Sequence, residues 1–176
     1  LNWQLMTVDR VYDAYKVVPC LLFSGEVNGR AEEAVAFYES VFPDVQRGQF
    51  SYYKEGEAAL PTARVNYGEF MIGNIPFVVM DNGTDDETTF NEAFSFQIFC
   101  ENQEEIDYYW EKMSAVPEAE QCGWIKDQFS VSWQIIPAWL EKFMKIGTQE
   151  EVDRVNQALL PMKKIDLAAL QAVLKR

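Results

Sequence analysis

Four polar side chains on two predicted strands are the first candidates for chemistry. Ser95 and Gln97 alternate with apolar residues in one strand, and Ser132 and Gln134 do so in the other. A period of two places alternate residues on one face of a sheet. These groups could form a hydrogen-bonding set for a polar or planar ligand inside an apolar cavity. They could equally bond to one another and to ordered water.

Four further residues are weaker candidates for ligand binding. Arg64 and Tyr67 share an alternating strand, where Arg64 could meet an anionic ligand or form a surface ion pair. Trp124 and Phe129 flank a predicted turn, where they could stack on an aromatic ligand or close the turn by hydrophobic contact. Each member of this set therefore has a structural alternative to a binding role.

Two residues are weak candidates for catalysis. Asp81 ends a predicted strand and could act as a base or orient a ligand, although a turn-capping role before Asn82 and Gly83 explains it as well. Cys122 would need a lowered pKa to act as a nucleophile, and Lys126 is the one basic residue near it in sequence. The remaining cysteines, Cys20 and Cys100, lie on predicted strands and are expected to be buried free thiols.

Bulk composition excludes several classes of function. The 176 residues include no histidine, which excludes a Ser-His-Asp triad, a Cys-His dyad and a His-ligated metal site built by this chain alone. A net charge of −13 repels phosphate backbones, so nucleic acid is not an expected partner. No apolar run is long enough to span a bilayer, so we expect a cytoplasmic protein with no membrane partner.

Two similar segments organise the chain. Residues 91–113 read as a strand, a short turn and a helix with an apolar stripe, and Asn102 with Glu105 fits a capping box at the start of that helix. Residues 17–42 have the same design. The pattern predicts two β-α-β-β-β modules of α+β class, although the first strand after the helix is poorly defined in the second module.

The predicted boundaries follow from this repeat. We expect an N-terminal extension at 1–16, a first module at 17–83, a second module at 84–137 and a helical tail at 138–176. Within the extension, Val8 and Val11 belong to a helical stripe. In the tail, Thr148 with Glu151 predicts another capping box, and Asp166 is positioned to cap a last helix. The apolar faces of the tail must pack on the chain's own sheet or on a second subunit.

A tandem β-α-β-β-β arrangement of this length resembles the vicinal oxygen chelate superfamily, which includes glyoxalase I, bleomycin-resistance proteins and extradiol dioxygenases. It is most similar to the PhnB-like branch, the 3-demethylubiquinone-9 3-methyltransferase domain family. The resemblance is carried by short motifs spread over about residues 17 to 170: Pro19-Cys20-Leu21, Ala31-Glu32-Glu33-Ala34, Phe37-Tyr38, Phe90-Asn91-Glu92-Ala93, Cys100-Glu101, Gln103-Glu104-Glu105, Gln121-Cys122-Gly123-Trp124, Lys126-Asp127, Ser132-Trp133-Gln134 and Met162-Lys163-Lys164-Ile165-Asp166.

The resemblance implies a cupped mixed sheet, the glyoxalase/bleomycin resistance/dioxygenase fold. In metal-using relatives, the ligands lie on the first and last strands of each module. Here those positions fall near Pro19, in Phe77–Met80, near Ser95 and at Gln134. These residues are poor ligands and leave at most a weak divalent metal site. We therefore expect no cofactor and no tight metal. The methyltransferase label has no support from a Gly-rich turn between a strand and a helix.

The sequence is compatible with two functions. The first is a binding protein that holds a small, largely apolar organic molecule in a cup between its two modules, without a tight metal. The alternative is an enzyme of the glyoxalase/dioxygenase superfamily, of lyase, isomerase or transferase type, that uses a weak or atypical divalent metal. We also expect a homodimer, because relatives often complete the cup between subunits and because the tail needs cover.

Overall fold

The computed structural model describes residues 15–85 and 88–175. The chain divides into two compact units, Leu1–Thr89 and Phe90–Arg176. The helical stripe that we predict at the N-terminus lies almost entirely outside the described residues. The predicted module boundaries stay predictions, whereas the α+β class and the helical C-terminal region are confirmed.

The first unit has the predicted order of elements. It contains β1 (Cys20–Phe23), α1 (Ala31–Val41), β2 (Val45–Tyr52), β3 (Val65–Ile72) and β4 (Ile75–Asp81). The sheet order is β1-β4-β3-β2, with β1 parallel to β4 and the other pairs antiparallel. The last strand of the unit therefore lies inside its sheet, between the first and third strands.

Helix α1 covers one face of this sheet. Ala34, Val35 and Tyr38 are fully buried, as their helical spacing predicts. The Tyr38 ring stacks on Phe70 of β3 with 5.9 Å between ring centroids. Full burial of one large apolar side chain contributes about 1.5–3 kcal/mol. These contacts identify the helix-covered face of the sheet and leave the opposite face open.

The turn between β3 and β4 lies later than predicted. The sequence pattern places the hairpin between Gly68 and Gly73, with one strand ending at Phe70. In the structure, β3 continues to Ile72, and the turn is made by Gly73 and Asn74, where Gly73 has φ +57°. Gly73 adopts this left-handed conformation at little cost because it has no Cβ.

The described residues of the second unit form three strands, whereas the repeat predicts four. It contains β5 (Phe96–Cys100), α2 (Gln103–Met113), β6 (Trp124–Lys126) and β7 (Ser132–Pro137), in the sheet order β5-β7-β6. The missing strand is the poorly defined one after the helix, in the region 115–121. That region holds a 3₁₀ turn at Pro117–Ala119 and an isolated bridge from Gln121 to Trp124.

The buried face of the second sheet lies against α2. Ile98, Ile125 and Ile135 are buried on that face, and α2 buries Ile106 and Met113. The alternation of Phe94, Phe96 and Ile98 in the sequence predicts that Phe94 lies on the same face, but Phe94 precedes β5 and is 59% exposed. The N-cap side chain of Asn102 accepts a hydrogen bond from the backbone N–H of Glu105, whose carboxylate accepts from Glu101. In a standard capping box the Glu105 carboxylate would accept from the N–H of Asn102, so here this second hydrogen bond comes from the preceding residue.

The tail forms three helices that pack within the second unit. They are α3 (Ala138–Ile146), α4 (Gln149–Leu159) and α5 (Leu167–Ala172). The predicted capping box at Thr148 and Glu151 and the Asp166 cap are both present. The apolar faces meet in one cluster built around five buried side chains: Leu140, Phe143, Val155, Ile165 and Leu170. The tail therefore covers these faces itself, and its need for cover no longer supports a dimer.

Across the described ranges, each helix falls short of the length and apolar character that a bilayer crossing requires.

Candidate functional site

A cleft of about 600 Å³ lies on the open face of the first sheet. Its apolar walls come from Val18, Val78 and Met80, and further lining comes from Tyr15, Lys16, Cys20 and Tyr67. In the sheet, Cys20 is paired with Val78, and Val78 is paired with Glu69 on its other side. Direct cross-strand partners project from the same face. The cleft therefore lies along a row of side chains that faces away from α1.

Glu69 is a buried carboxylate beside this cleft, and the sequence reasoning missed it. The residue is 2% exposed, and the Tyr67 hydroxyl donates a hydrogen bond of 3.0 Å to its Oε1. Desolvation by burial raises the pKa of Glu69, and the hydrogen bond from Tyr67 opposes that shift. Buried glutamates are rare unless they are paired. Tyr67, one of the predicted ligand-binding residues, is thus held in place at the cleft.

Cys20 corrects our expectation of a buried strand thiol. It is exposed and lines the cleft. The walls of the cleft still desolvate the sulfur, which raises the pKa of Cys20. Cys100 is buried as expected, and desolvation raises the pKa of its thiol to about 12. Both thiols therefore stay protonated at neutral pH.

The open face of the second sheet brings together three of the predicted site residues. Gln97 and Gln134 are cross-strand partners on β5 and β7. The Gln97 Nε2 donates to Gln134 Oε1 at 3.3 Å, and the Gln134 Nε2 donates to Ser95 Oγ at 2.8 Å. This chain of hydrogen bonds realises the alternative in which the polar groups bond to one another. It also leaves the Ser95 proton available for a further acceptor.

Ser132 and Trp124 lie on the same open face as this chain. Trp124 is the cross-strand partner of Gln134 and is partly exposed. Ser132 is two residues from Gln134 on β7 and is 2% exposed, and its Oγ has no hydrogen-bond partner among the described residues. A buried hydroxyl without a partner costs about 1–3 kcal/mol. Ser132 is therefore the polar group on this face that most needs a partner.

Phe129 does not reach either open face. It is fully buried, and its backbone N–H donates to Asp127 Oδ1 in a tight turn. The Asp127 carboxylate also accepts from Val131 N and from the Trp133 indole, at 3.1 and 2.9 Å. The structure thus places Phe129 in the core of the turn, which corresponds to the hydrophobic-closure alternative.

The Asp81 carboxylate acts as a structural clasp in the first unit. It is fully buried, and its Oδ1 accepts from the backbone N–H groups of Gly29 and Ala31. Its Oδ2 accepts from the N–H groups of Arg64 and Val65. Asp81 thereby caps the start of α1 and fixes the start of β3. Four backbone donors occupy both oxygens, which leaves this group poorly suited to the catalytic role considered from sequence.

Arg64, the predicted anion-binding residue, enters this clasp through its backbone. Its N–H lies 3.1 Å from Asp81 Oδ2, and its side chain is exposed. Arg64 is not part of the cleft lining. Of the two predicted residues on β3 and its approach, the structure therefore brings Tyr67 to the cleft and leaves Arg64 outside it.

Cys122 joins the second unit to its tail. Its Sγ lies 3.5 and 3.4 Å from the carbonyl oxygens of Leu159 and Leu160, to which the thiol can donate. Its backbone N–H donates to the Met162 carbonyl at 2.8 Å. Lys126, the one nearby cation in sequence, is paired with Glu92. Lys126 is thus engaged by a carboxylate and does not supply the cationic neighbour that a thiolate nucleophile needs.

The metal positions that the resemblance implies do not fit a metal ion. Gln134 and Ser95 are bonded to each other, Pro19 has no side-chain donor, and Val78 and Met80 line the cleft with apolar atoms. Residues 15–85 and 88–175 contain no group of three or more His, Cys, Asp or Glu side chains that could hold a metal. The residues at these positions would therefore coordinate a divalent ion poorly.

The architecture also does not fit a nucleotide-type cofactor such as S-adenosylmethionine. Such sites use a parallel sheet with a glycine-rich turn that leads into a helix. In the described ranges, each sheet has a single parallel pair of strands. The loop before α1 contains Gly25 and Gly29, but the N–H of Gly29 is committed to Asp81.

The chain is similar in sequence and structure to known proteins. Residues 15–136 match the family described as 3-demethylubiquinone-9 3-methyltransferase. The PhnB protein from Bacillus cereus is 29% identical, and the match covers 70% of this chain and 100% of that protein with a TM-score of 0.58. No curated protein matches the chain.

Two further solved structures are less similar to this chain. A Pseudomonas aeruginosa protein is 16% identical over 69% of this chain and 96% of its own, with a TM-score of 0.48. The fosfomycin resistance protein FosX from Listeria monocytogenes is 18% identical over 77% of this chain and 98% of its own, with a TM-score of 0.48. The chain belongs to the PhnB-like 3-demethylubiquinone-9 3-methyltransferase family.

Proposed function

We propose that the chain binds a small, largely apolar organic molecule at the open faces of its sheets, without a tight metal. The observation that carries the proposal is the cleft of about 600 Å³ on the first sheet. Ligand pockets typically enclose about 300–1,000 Å³ and combine apolar walls with a few placed polar groups. Val18, Val78 and Met80 supply such walls, and Tyr67 supplies a polar group fixed by Glu69.

The open face of the second sheet supports the same proposal. Its hydrogen-bonded Ser95, Gln97 and Gln134 side chains would give specificity for polar atoms of a ligand. Trp124 on that face offers an aromatic surface, and the Ser132 hydroxyl lacks a partner among the described residues. Aromatic surface with a few hydrogen-bonding groups is the chemistry that recognises planar organic molecules.

The proposal excludes a metal as the main source of binding energy. The sequence has no histidine. Glu69, the buried carboxylate beside the cleft, is engaged by the Tyr67 hydroxyl. A hard cation needs several oxygen ligands in one place, and an apolar wall cannot provide them. The binding energy would instead come from burial of apolar ligand surface, at about 25 cal/mol per Å².

A thermal-shift screen tests the proposal. Small aromatic and aliphatic molecules are compared with divalent metals, each on protein first treated with a chelator. A Met80→Trp variant fills the cleft and is expected to abolish the stabilisation by organic ligands. Met144→Trp is the matched control, because Met144 is an exposed methionine on α3 that is not among the residues lining the cleft.

The outcomes of this screen separate the two functions. Stabilisation by organic molecules that Met80→Trp removes and Met144→Trp retains supports the proposal. Stabilisation by a divalent metal alone contradicts it and favours the metal-using enzyme. Equal responses of the two tryptophan variants would place any ligand outside the cleft and would also contradict the proposal.

We also propose that the chain forms a homodimer. Phe94 and Phe99 of the second unit are 59% and 49% exposed. Exposed large apolar side chains are typical components of association surfaces, and these two lie on β5 or just before it. Light scattering at about 10 μM protein is expected to give twice the chain mass of 20.3 kDa, and a monomer would contradict the proposal. Phe94→Ser with Phe99→Ser is expected to shift the protein to monomer.

A further inference from the structure

Glu69 and Tyr67 decide which kind of hydrogen-bonding group the cleft can accept. They are two residues apart on β3, so both side chains project from the open face. The Tyr67 hydroxyl has one proton, and it donates that proton to Glu69 Oε1 at 3.0 Å. A phenol oxygen that has donated its proton can only accept further hydrogen bonds. Tyr67 therefore offers the cleft an acceptor.

The position of Glu69 makes this arrangement persistent. Glu69 lies beside the cleft on β3, as the cross-strand partner of the cleft residue Val78, and is 2% exposed. A buried carboxylate that lost its hydrogen bond from Tyr67 would remain desolvated, which costs about 1–3 kcal/mol or more. The Tyr67 proton is thus held toward Glu69 and is not available to a molecule in the cleft.

We propose that the cleft selects apolar molecules that carry a hydroxyl group, with the ligand O–H donating to the Tyr67 oxygen and Glu69 acting as the positioning residue. This inference rests on the proposed binding function and names its ligand class: phenols and alcohols with an apolar body. A ketone or an ether of the same shape would place an acceptor against an acceptor. Because the site's polar group is then left unpaired, such analogues bind more weakly.

The test uses ligand pairs in which a methyl group replaces the hydroxyl hydrogen. The probes are 4-ethylphenol and its methyl ether, 4-ethylanisole, together with cyclohexylmethanol and its methyl ether. Affinity is measured by calorimetry on the full chain. Binding in the cleft is checked separately by the rate at which iodoacetamide alkylates Cys20, which lines the cleft. Cys122, which lies at the tail, serves as the reference thiol in the same sample.

Two variants and a control test whether Tyr67 and Glu69 cause the preference for hydroxyl compounds over ethers. Wild type is expected to bind each hydroxyl compound at least about tenfold more tightly than its ether, as one lost hydrogen bond implies. Tyr67→Phe keeps the ring and is expected to reduce this ratio to about one. Glu69→Gln can donate to the Tyr67 oxygen in place of accepting, so the ratio is expected to fall several-fold. Tyr108→Phe, at an exposed tyrosine on α2, should leave the ratio unchanged.

The outcomes distinguish this inference from the proposed function. If the ethers and the hydroxyl compounds bind wild type equally and slow the alkylation of Cys20, the proposed function stands and the inference is overturned. If a preference survives in Tyr67→Phe, the inference is likewise wrong. If no probe binds and Cys20 reacts at an unchanged rate, the proposed function fails together with the inference.

Discussion

Replacement of Asp81 is expected to destabilise the first unit more than any substitution of an exposed acid. The carboxylate accepts four backbone hydrogen bonds, with distances of 2.9, 3.1, 3.1 and 2.8 Å. A net contribution of about 1 kcal/mol for each bond gives about 4 kcal/mol for Asp81→Ala. Since domains are stable by about 5–15 kcal/mol, this loss is a large fraction of the total.

Asp81→Asn gives a graded second measurement. The amide keeps one oxygen for two of the N–H donors but turns an NH₂ group toward the other two. About half of the bonds are lost, so the expected cost is about 2 kcal/mol. Asp44→Ala is the matched control, because Asp44 is exposed on the same unit and its substitution should change stability by no more than about 0.5 kcal/mol.

Urea unfolding followed by far-UV circular dichroism measures these differences through the midpoint and slope of each transition. The slopes are expected to stay constant, so that the midpoints report stability. A loss below about 1 kcal/mol for Asp81→Ala, or equal midpoints for Asp81→Ala and Asp44→Ala, would refute the clasp. If Asp81→Asn is as stable as wild type, the four backbone N–H groups do not need both carboxylate oxygens of Asp81 as acceptors.

Three further predictions concern single residues. Because the folded state raises the pKa of Glu69, the folded chain binds this proton more tightly than the unfolded chain, and stability is lost as the pH rises above about 4.3. Glu69→Gln should therefore gain stability relative to wild type at pH 8 but not at pH 3.5, as measured by urea midpoints. Gly123→Ala is expected to cost at least about 2 kcal/mol in urea unfolding, because Gly123 has φ +84° and a Cβ would lie 2.6 Å from the Ile135 carbonyl oxygen. Thr148→Ala removes the side-chain half of a capping box and should cost about 1 kcal/mol by the same measurement.

Each of these three predictions would be contradicted by a specific result. A Glu69→Gln difference that grows as the pH falls would reverse the sign of the argument. A Gly123→Ala variant as stable as wild type would mean that the left-handed turn is not required. For Thr148→Ala, an unchanged midpoint would contradict the cap, and Thr88→Ala in an exposed loop provides the matched comparison.

Local patterns predicted the helices well. Asn102, Thr148 and Asp166 each accept the hydrogen bond from the third following backbone N–H that their sequence positions indicate. These caps depend on side chains within one turn of the chain, so the sequence is enough to locate them. Strand alternation also predicts the polar face for Gln97 and for Gln134, which the structure shows as cross-strand partners.

Long-range partners were not predictable. Glu69 looks like an exposed acid in a strand, and its burial depends on Tyr67 and on pairing with Val78 across the hairpin. Asp81 looks like a turn residue, whereas its donors lie up to 52 residues away. The fourth strand expected in the second unit is lost where Pro117 opens a 3₁₀ turn, which cannot supply the ladder hydrogen bonds of a strand.

The position of the last strand in each sheet has a consequence for synthesis on the ribosome. β4 and β7 are the final strands of their sheets to emerge, yet each pairs with the first strand of its own unit, β1 or β5. Until then the first strand has no partner, and its backbone donors and acceptors face water. Neither unit can complete its sheet as a growing chain, so each becomes stable in one late step rather than strand by strand.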